Sequence, residues 1–256
     1  MALLRCDFFS EVLEVGTSMS VLLPQAGESQ IGVSTSSTSP TDRDGGFPVL
    51  YLLHGLSDDA TAWQRFTSIE RYAAELGLAV VMPQVQRSFY ADEPHGGRYW
   101  TFLSEELPEV VESFFRVSGR REDTFVAGLS MGGYGALKWS LRQPQRFAAA
   151  ASLSGALDLV ALEPERTELF GRVFGRGISP TDDLFALLEA SDVESLPSLY
   201  VGCGTEDHLY DGNVRFVDAA VADGVDVHVD FRPGEHEWGL WDTTIKDVLA
   251  WLPLAR

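Results

Sequence analysis

The sequence predicts an α/β fold built on a doubly wound, mainly parallel sheet. Three observations carry this. Apolar runs recur at 47–53, 78–82, 123–129, 147–153 and 197–201. They are nearly continuous rather than alternating, as strands covered on both faces are. Segments with helical spacing separate them, the pattern of strand–helix–strand units. With 256 residues, 45% of them hydrophobic, the chain suffices for one large domain spanning 1–256.

Taken in order, residues 5–13 and 17–23 alternate apolar and polar and predict an antiparallel strand pair ahead of the parallel sheet. The stretch 25–46 is rich in Gly, Ser, Thr, Asp and Pro and predicts a long surface loop. The strand 47–53 runs into His54-Gly55-Leu56-Ser57-Asp58-Asp59. A helix is predicted over 67–77, ending at Gly77, and the strand 78–82 stops at Pro83. Residues 84–97 read as irregular, and 101–116 as a helix bent near Pro108. The strand 123–129 turns almost directly into a helix over 135–142, ended by Pro144. After the strand 147–153, residues 156–196 interrupt the alternation with helical pieces at 165–174 and 182–189. Ligands in such sheets bind at the C-terminal ends of the strands, so this insertion is expected to form a small cap over a site there. Strand 197–201, helix 213–223, strand 225–231 and helix 240–251 complete the pattern.

Composition removes several function classes. Against 38 acidic residues stand 19 basic ones, a formal net charge of −19. That argues against nucleic-acid and anionic-membrane partners, and it gives anionic substrates no long-range attraction. No apolar run reaches the ~18 residues of a membrane span. The stretch Met1-Ala2-Leu3-Leu4-Arg5-Cys6-Asp7 does not read as a leader. Cys6 and Cys203 make no disulfide framework, so reduced thiols and a cytoplasmic setting are expected. No Cys, His and carboxylate spacing predicts a metal, no glycine-rich loop predicts a phosphate cradle, and no cofactor is expected.

The chemistry centres on Gly128-Leu129-Ser130-Met131-Gly132, between an apolar strand and the helix start at Tyr134-Gly135-Ala136. A strand that turns sharply into a helix around a serine in Gly-x-Ser-x-Gly is a nucleophile elbow, the mark of the α/β-hydrolase fold. The turn is tight enough that a Cβ at 128 or 132 would clash, and the following helix N-terminus favours developing negative charge. A serine hydroxyl needs a base, and the chain order in this fold is Ser, then Asp or Glu, then His. Downstream of Ser130 stand His208, His228 and His236. His228 lies inside a strand, whereas His236 lies in the turn after the last strand, where the base is expected. The acid is expected at the end of the preceding strand, where Asp207 is the candidate and Glu206 its rival; His208 beside them is placed at the entrance. Oxyanion donors are expected from the backbone N–H of Met131 and of Leu56. Glycine at 55 lets the Leu56 loop fold close to the serine. His54 reads as a loop-positioning residue and Cys203 as a packed thiol. Trp63, Phe89, Tyr90, Trp100, Tyr210 and Trp238 are candidate pocket walls, led by Trp238 and Tyr210 for their closeness to base and acid.

With Tyr51-Leu52-Leu53-His54-Gly55-Leu56, Glu105-Glu106-Leu107-Pro108, the elbow, Cys203-Gly204-Thr205-Glu206-Asp207 and His236-Glu237-Trp238 in view, the chain resembles the esterase D / S-formylglutathione hydrolase-like family. Its bacterial tributyrin esterase (acetylesterase) branch is the nearest match. The resemblance implies a serine carboxylesterase for short acyl esters, acetyl to butyryl, with acetylated sugars among the candidates. It implies nucleophile Ser130, acid Asp207, base His236, oxyanion donors Leu56 and Met131, a small-molecule ester partner and a tendency to form homo-oligomers. Formylglutathione hydrolases carry Thr-Cys where this chain has Ser57-Asp58, and His where it has Leu129. Thioester hydrolysis is therefore the second expectation, ahead of acyl transfer of the mycolyltransferase kind and of a catalytically silent binding protein.

Overall fold

The computed structural model describes residues 1–25, 27, 31, 35 and 45–254. Most of the predicted loop 25–46 lies outside the described residues. The strands are β1 (Ala2–Ser10), β2 (Val15–Leu23), β3 (Val49–Leu53), β4 (Ala79–Pro83), β5 (Thr124–Leu129), β6 (Ala149–Leu153), β7 (Ser198–Gly204) and β8 (Val227–Arg232). The α-helices are α1 (Ala62–Phe66), α2 (Ile69–Leu76), α3 (Tyr99–Thr101), α4 (Leu107–Phe114), α5 (Met131–Arg142), α6 (Leu159–Leu162), α7 (Thr167–Phe174), α8 (Leu184–Glu189), α9 (Tyr210–Ala222) and α10 (Trp238–Trp251). They flank one eight-stranded sheet in the order β1-β2-β4-β3-β5-β6-β7-β8. Only β1–β2 and β2–β4 pair antiparallel; every other pair is parallel. This is the α/β-hydrolase architecture.

The continuous apolar runs explain the layering. Every residue of β3, β4, β5 and β6 is buried, so each strand offers alternate side chains to two cores. Beneath one face, Leu50, Leu52, Val80 and Ala127 pack with Trp63, Ile69, Trp241 and Ile245. On the other, Tyr51, Leu53, Val81 and Val126 pack with Tyr134, Leu137, Phe170 and Phe216.

Three local differences from the sequence reading have physical causes. The N-terminal hairpin turns at Glu11–Glu14 rather than near Gly16, which pairs with Phe9 inside the ladder. Glu106 dictates the turn, accepting from the Ser10 hydroxyl, from the Glu11 N–H (2.7 Å) and from the Val12 N–H (3.3 Å). The helix expected over 101–116 is α3 and α4 joined by one π-helical stretch, Phe102–Glu106. Pro108, which lacks an N–H, then sits in the first turn of α4, where none is needed. The short α1 was not foreseen, and sits in the segment between β3 and the predicted helix.

The two helical pieces read in the insertion are present as α7 and α8, preceded by the short α6, between β6 and β7. The insertion is latched to the elbow helix by a buried ion pair. The Lys138 ammonium on α5, fully buried, meets the Asp182 carboxylate at 2.6 Å and the Tyr90 carbonyl at 2.9 Å. Burial lowers the Lys138 pKa, and Asp182 opposes that shift. The Tyr134 hydroxyl donates to the Asp182 carbonyl at 2.8 Å.

Candidate active site

β5 ends at Leu129, and Ser130 takes a left-handed conformation (φ 53°) before α5 begins. For a non-glycine residue that is a strained conformation, held by its surroundings. Its N–H donates to the Leu153 carbonyl (2.9 Å), and its own carbonyl accepts from Tyr134 and Ala156 (3.1 Å each). Glycine at 132 is obligatory, because a Cβ there would lie 2.3 Å from the Leu53 carbonyl oxygen. The first turn of α5 therefore lies directly against the end of β3 and the loop that follows it.

The ends of β7 and β8 bring acid and base together. The Thr205 N–H donates to the Arg232 carbonyl (2.9 Å) and the Glu206 N–H to the Gly234 carbonyl (3.1 Å). Gly234 N–H donates back to the Glu206 carboxylate at 2.5 Å. This approach leaves no room for a side chain at 204, where a Cβ would lie 2.1 Å from the Gly234 oxygen. Glu237 caps α10 by accepting from the Gly239 and Leu240 N–H groups (2.7 Å each), which fixes His236 just ahead of the helix.

The result is a continuous hydrogen-bonded line. His236 Nε2 lies 3.1 Å from Ser130 Oγ, and His236 Nδ1 lies 2.7 Å from Asp207 Oδ2. Asp207 Oδ1 accepts from the Leu209 N–H at 2.8 Å. Burial works to raise the Asp207 pKa, but the His236 and Leu209 hydrogen bonds outweigh it and hold the carboxyl below the ordinary range. The His236 ring stands edge-on between Trp241 (4.8 Å) and His208 (4.7 Å). Burial, with the His236 and Arg166 charges, lowers the His208 pKa against the pull of Asp207.

These groups open into a cleft of about 670 Å³ whose wall includes Leu56, Arg87, Leu129, Ser130, Arg166, His208, His236, Trp238 and Trp241. Met131 is the first residue of α5, so its N–H has no partner within the helix. Leu56 lies in a tight turn: the Asp58 carboxylate accepts from the Gly55 N–H (3.1 Å), and Asp58 N–H donates to the Gly55 carbonyl (3.3 Å). His54 supports the same loop. Its Nε2 accepts from the Val85 N–H (3.2 Å), which leaves Nδ1–H to donate to the Gly55 carbonyl (2.8 Å). Burial lowers its pKa and favours this neutral form.

The other expected residues divide cleanly. Glu206 is exposed and holds the Gly234 turn instead of the imidazole. Cys203 is buried at its strand end, and burial pushes its thiol up to about 12. Of the expected pocket walls, Trp238 lines the cleft. Trp63 and Tyr90 do not. Both are buried, Trp63 Nε1 donating to the Leu53 carbonyl (2.9 Å) and the Tyr90 hydroxyl to the His54 carbonyl (2.8 Å). Tyr210 is not part of the cleft wall and packs edge-on to Phe231 at 5.1 Å. Phe89 packs on Phe170 (5.1 Å), and Trp100 lies under the Arg142 guanidinium (4.0 Å). The insertion reaches the cleft through Arg166. Arg87, Arg166 and Trp241 escaped the sequence reading. Only a basic residue in the irregular stretch 84–97 hinted at the first.

Asp207, His208 and His236 also form a group whose donor atoms lie within 4.8 Å of one another. Residue spacing could not reveal it, because two separate loops build it. In this structure its acid and base are already bonded to each other.

A nucleophile-elbow serine bonded to a histidine, itself bonded to a buried carboxylate, is the hydrolytic arrangement of this fold. The profile of the family described as "Putative esterase" matches residues 28–252. The chain belongs to this esterase family. An acetyl esterase of Caldicellulosiruptor saccharolyticus is 29% identical over 268 residues, covering 98% of each chain. Among solved structures, the fluorophosphonate-binding serine hydrolase F of Staphylococcus aureus superposes with a TM-score of 0.86 at 33% identity, over 98% of both chains. An S-formylglutathione hydrolase of the same organism gives a TM-score of 0.83 at 32% identity, also over 98% of both. Among the described residues, no helix is long and apolar enough to cross a membrane.

Proposed function

We propose that this member of the esterase family is a serine carboxylesterase acting on short acyl esters, acetyl to butyryl. The observation that carries the reading is the line Ser130–His236–Asp207, with its hydroxyl open to the cleft. Ser130 Oγ attacks the ester carbonyl while His236 Nε2 takes its proton. Asp207 holds the imidazole in the Nδ1–H tautomer and stabilises the imidazolium. The oxyanion is received by the N–H groups of Met131 and Leu56, aided by the N-terminus of α5. His236 returns the proton to the departing alkoxide, and water, deprotonated by the same imidazole, releases the acid from Ser130.

The acetyl esterase relative supports a small acyl group, as do the bulky Trp238 and Trp241 against the cleft. The unpaired Cys6 and Cys203 are in keeping with the cytoplasm. A second reading, thioester hydrolysis, is favoured by the formylglutathione hydrolase neighbour. Hydrolysis of 4-nitrophenyl esters from acetyl to decanoyl, with S-formylglutathione alongside, tests both. The expected profile peaks between acetyl and butyryl and is weak on the thioester. A dominant rate on S-formylglutathione would transfer the enzyme to the second reading.

A further inference from the structure

The chain carries a formal net charge of −19, yet the cleft around Ser130 presents two arginines, Arg87 and Arg166. Among the described residues, neither guanidinium donates a hydrogen bond or closes an ion pair. The carboxylates of the same wall are engaged. Asp58 accepts from the Gly55 N–H (3.1 Å), and Glu237 accepts from the Gly239 and Leu240 N–H groups (2.7 Å each). A third arginine nearby, Arg172, is already matched by Glu93 at 3.2 Å. It donates to the Arg87 carbonyl at 2.9 Å and so anchors the backbone that carries Arg87. Left-handed conformations at Gln86 (φ 55°) and Phe89 (φ 47°) bracket that residue, which surroundings must hold in place. The loop is held in place, and the Arg87 guanidinium it carries is exposed.

Arg87 and Arg166 also line a second cavity of about 620 Å³, which Gln86, Thr167 and the exposed Glu165 and Glu168 share. The two cavities thus adjoin at the arginines, and an acetyl to butyryl group is too short to occupy both. We propose that Arg87 and Arg166 form an anion subsite for the leaving-group side of the ester, so that the preferred alcohol carries a carboxylate or phosphate. The guanidinium fork accepts either oxyanion in a bidentate manner, which sets orientation as well as affinity. The global acidity of the chain then repels anions at long range, while the cleft selects them on contact. The proposal rests on the esterase reading of Ser130.

The test compares 4-acetoxybenzoate with its neutral methyl ester, in wild type and in the Arg87→Gln/Arg166→Gln double variant. Wild type favours the anion by a lower KM, and about 0.5 M NaCl reduces that preference by screening. In the double variant the ratio of the two kcat/KM values falls by about tenfold, through KM rather than kcat, the scale of two solvent-exposed charge-assisted contacts. The Arg87→Lys/Arg166→Lys variant recovers part of the ratio, since charge is kept and the fork lost. An unchanged ratio, or equal losses on both esters, overturns the subsite. A parallel pair, 4-nitrophenyl hemisuccinate against 4-nitrophenyl butyrate, checks the side: a charge preference there alone would put the anion on the acyl group and overturn the assignment. If wild type hydrolyses none of these esters, the esterase reading fails, an outcome distinct from an unchanged ratio.

Discussion

The two sides of the cleft are made by different means. On the sheet side, Ser130, Asp207 and His236 sit at strand ends where backbone meets backbone. The Gly132 and Gly204 sites admit no Cβ, and hydrogen bonds between the β7 and β8 loops fix the rest. On the insertion side, α7 and α8 are held by side chains: the Lys138–Asp182 pair, the Arg172–Glu93 pair and Phe170 against Phe89. The first construction leaves little freedom to vary. The second fixes a wall yet leaves the exposed Arg166 and Arg87 open to change. On the proposed reading, chemistry falls to the first side and selectivity to the second.

The largest expected effect falls on the sheet side. Asp207→Asn keeps the shape but loses the carboxylate that sets the tautomer, and kcat on 4-nitrophenyl acetate should drop about 10³–10⁴-fold. Glu206→Gln, one residue away, keeps an acceptor for the Gly234 N–H and should cost less than about tenfold. Steady-state kinetics on the two variants decide it, and the reverse order would move the acid to Glu206.

A change on the insertion side should separate stability from chemistry. Asp182→Ala strands the Lys138 charge in the interior, and breaking a buried pair in this way costs about 3–5 kcal/mol. The urea midpoint should fall accordingly, while kcat of the remaining folded protein changes far less than in Asp207→Asn. Lys138→Met combined with Asp182→Leu should recover most of the loss, because no charge is then buried unpaired. Loss of kcat as large as that of Asp207→Asn would show that the insertion also shapes the chemistry. Smaller than either the Asp207→Asn loss or the Asp182→Ala destabilisation is the tenfold shift in charge preference expected of the arginine pair.

What the sequence revealed follows the same division. The meeting of Ser130, His236 and Asp207 was legible because strand ends are set by local patterns, and the fold prescribes their order along the chain. The Leu56 loop was legible for the same reason, from the apolar run that stops at His54. The aromatic walls were not. Trp63 and Tyr90 carry a polar atom that reads equally well as pocket or core, and only tertiary contact showed both atoms satisfied by the carbonyls of Leu53 and His54. The π-helical stretch at Phe102–Glu106 also escaped, because its partner is a hairpin turn about ninety-five residues earlier, at Glu11. The arginines escaped because a surface arginine is ordinary until its neighbours are known.

The most direct test of the central claim is covalent. Treated with diethyl 4-nitrophenyl phosphate, the protein should gain one diethylphosphoryl group, located by peptide mass spectrometry on Ser130, with activity lost in step. Ser130→Ala should take up none. Labelling at another residue with parallel loss of activity, or full esterase activity in Ser130→Ala, would contradict the account.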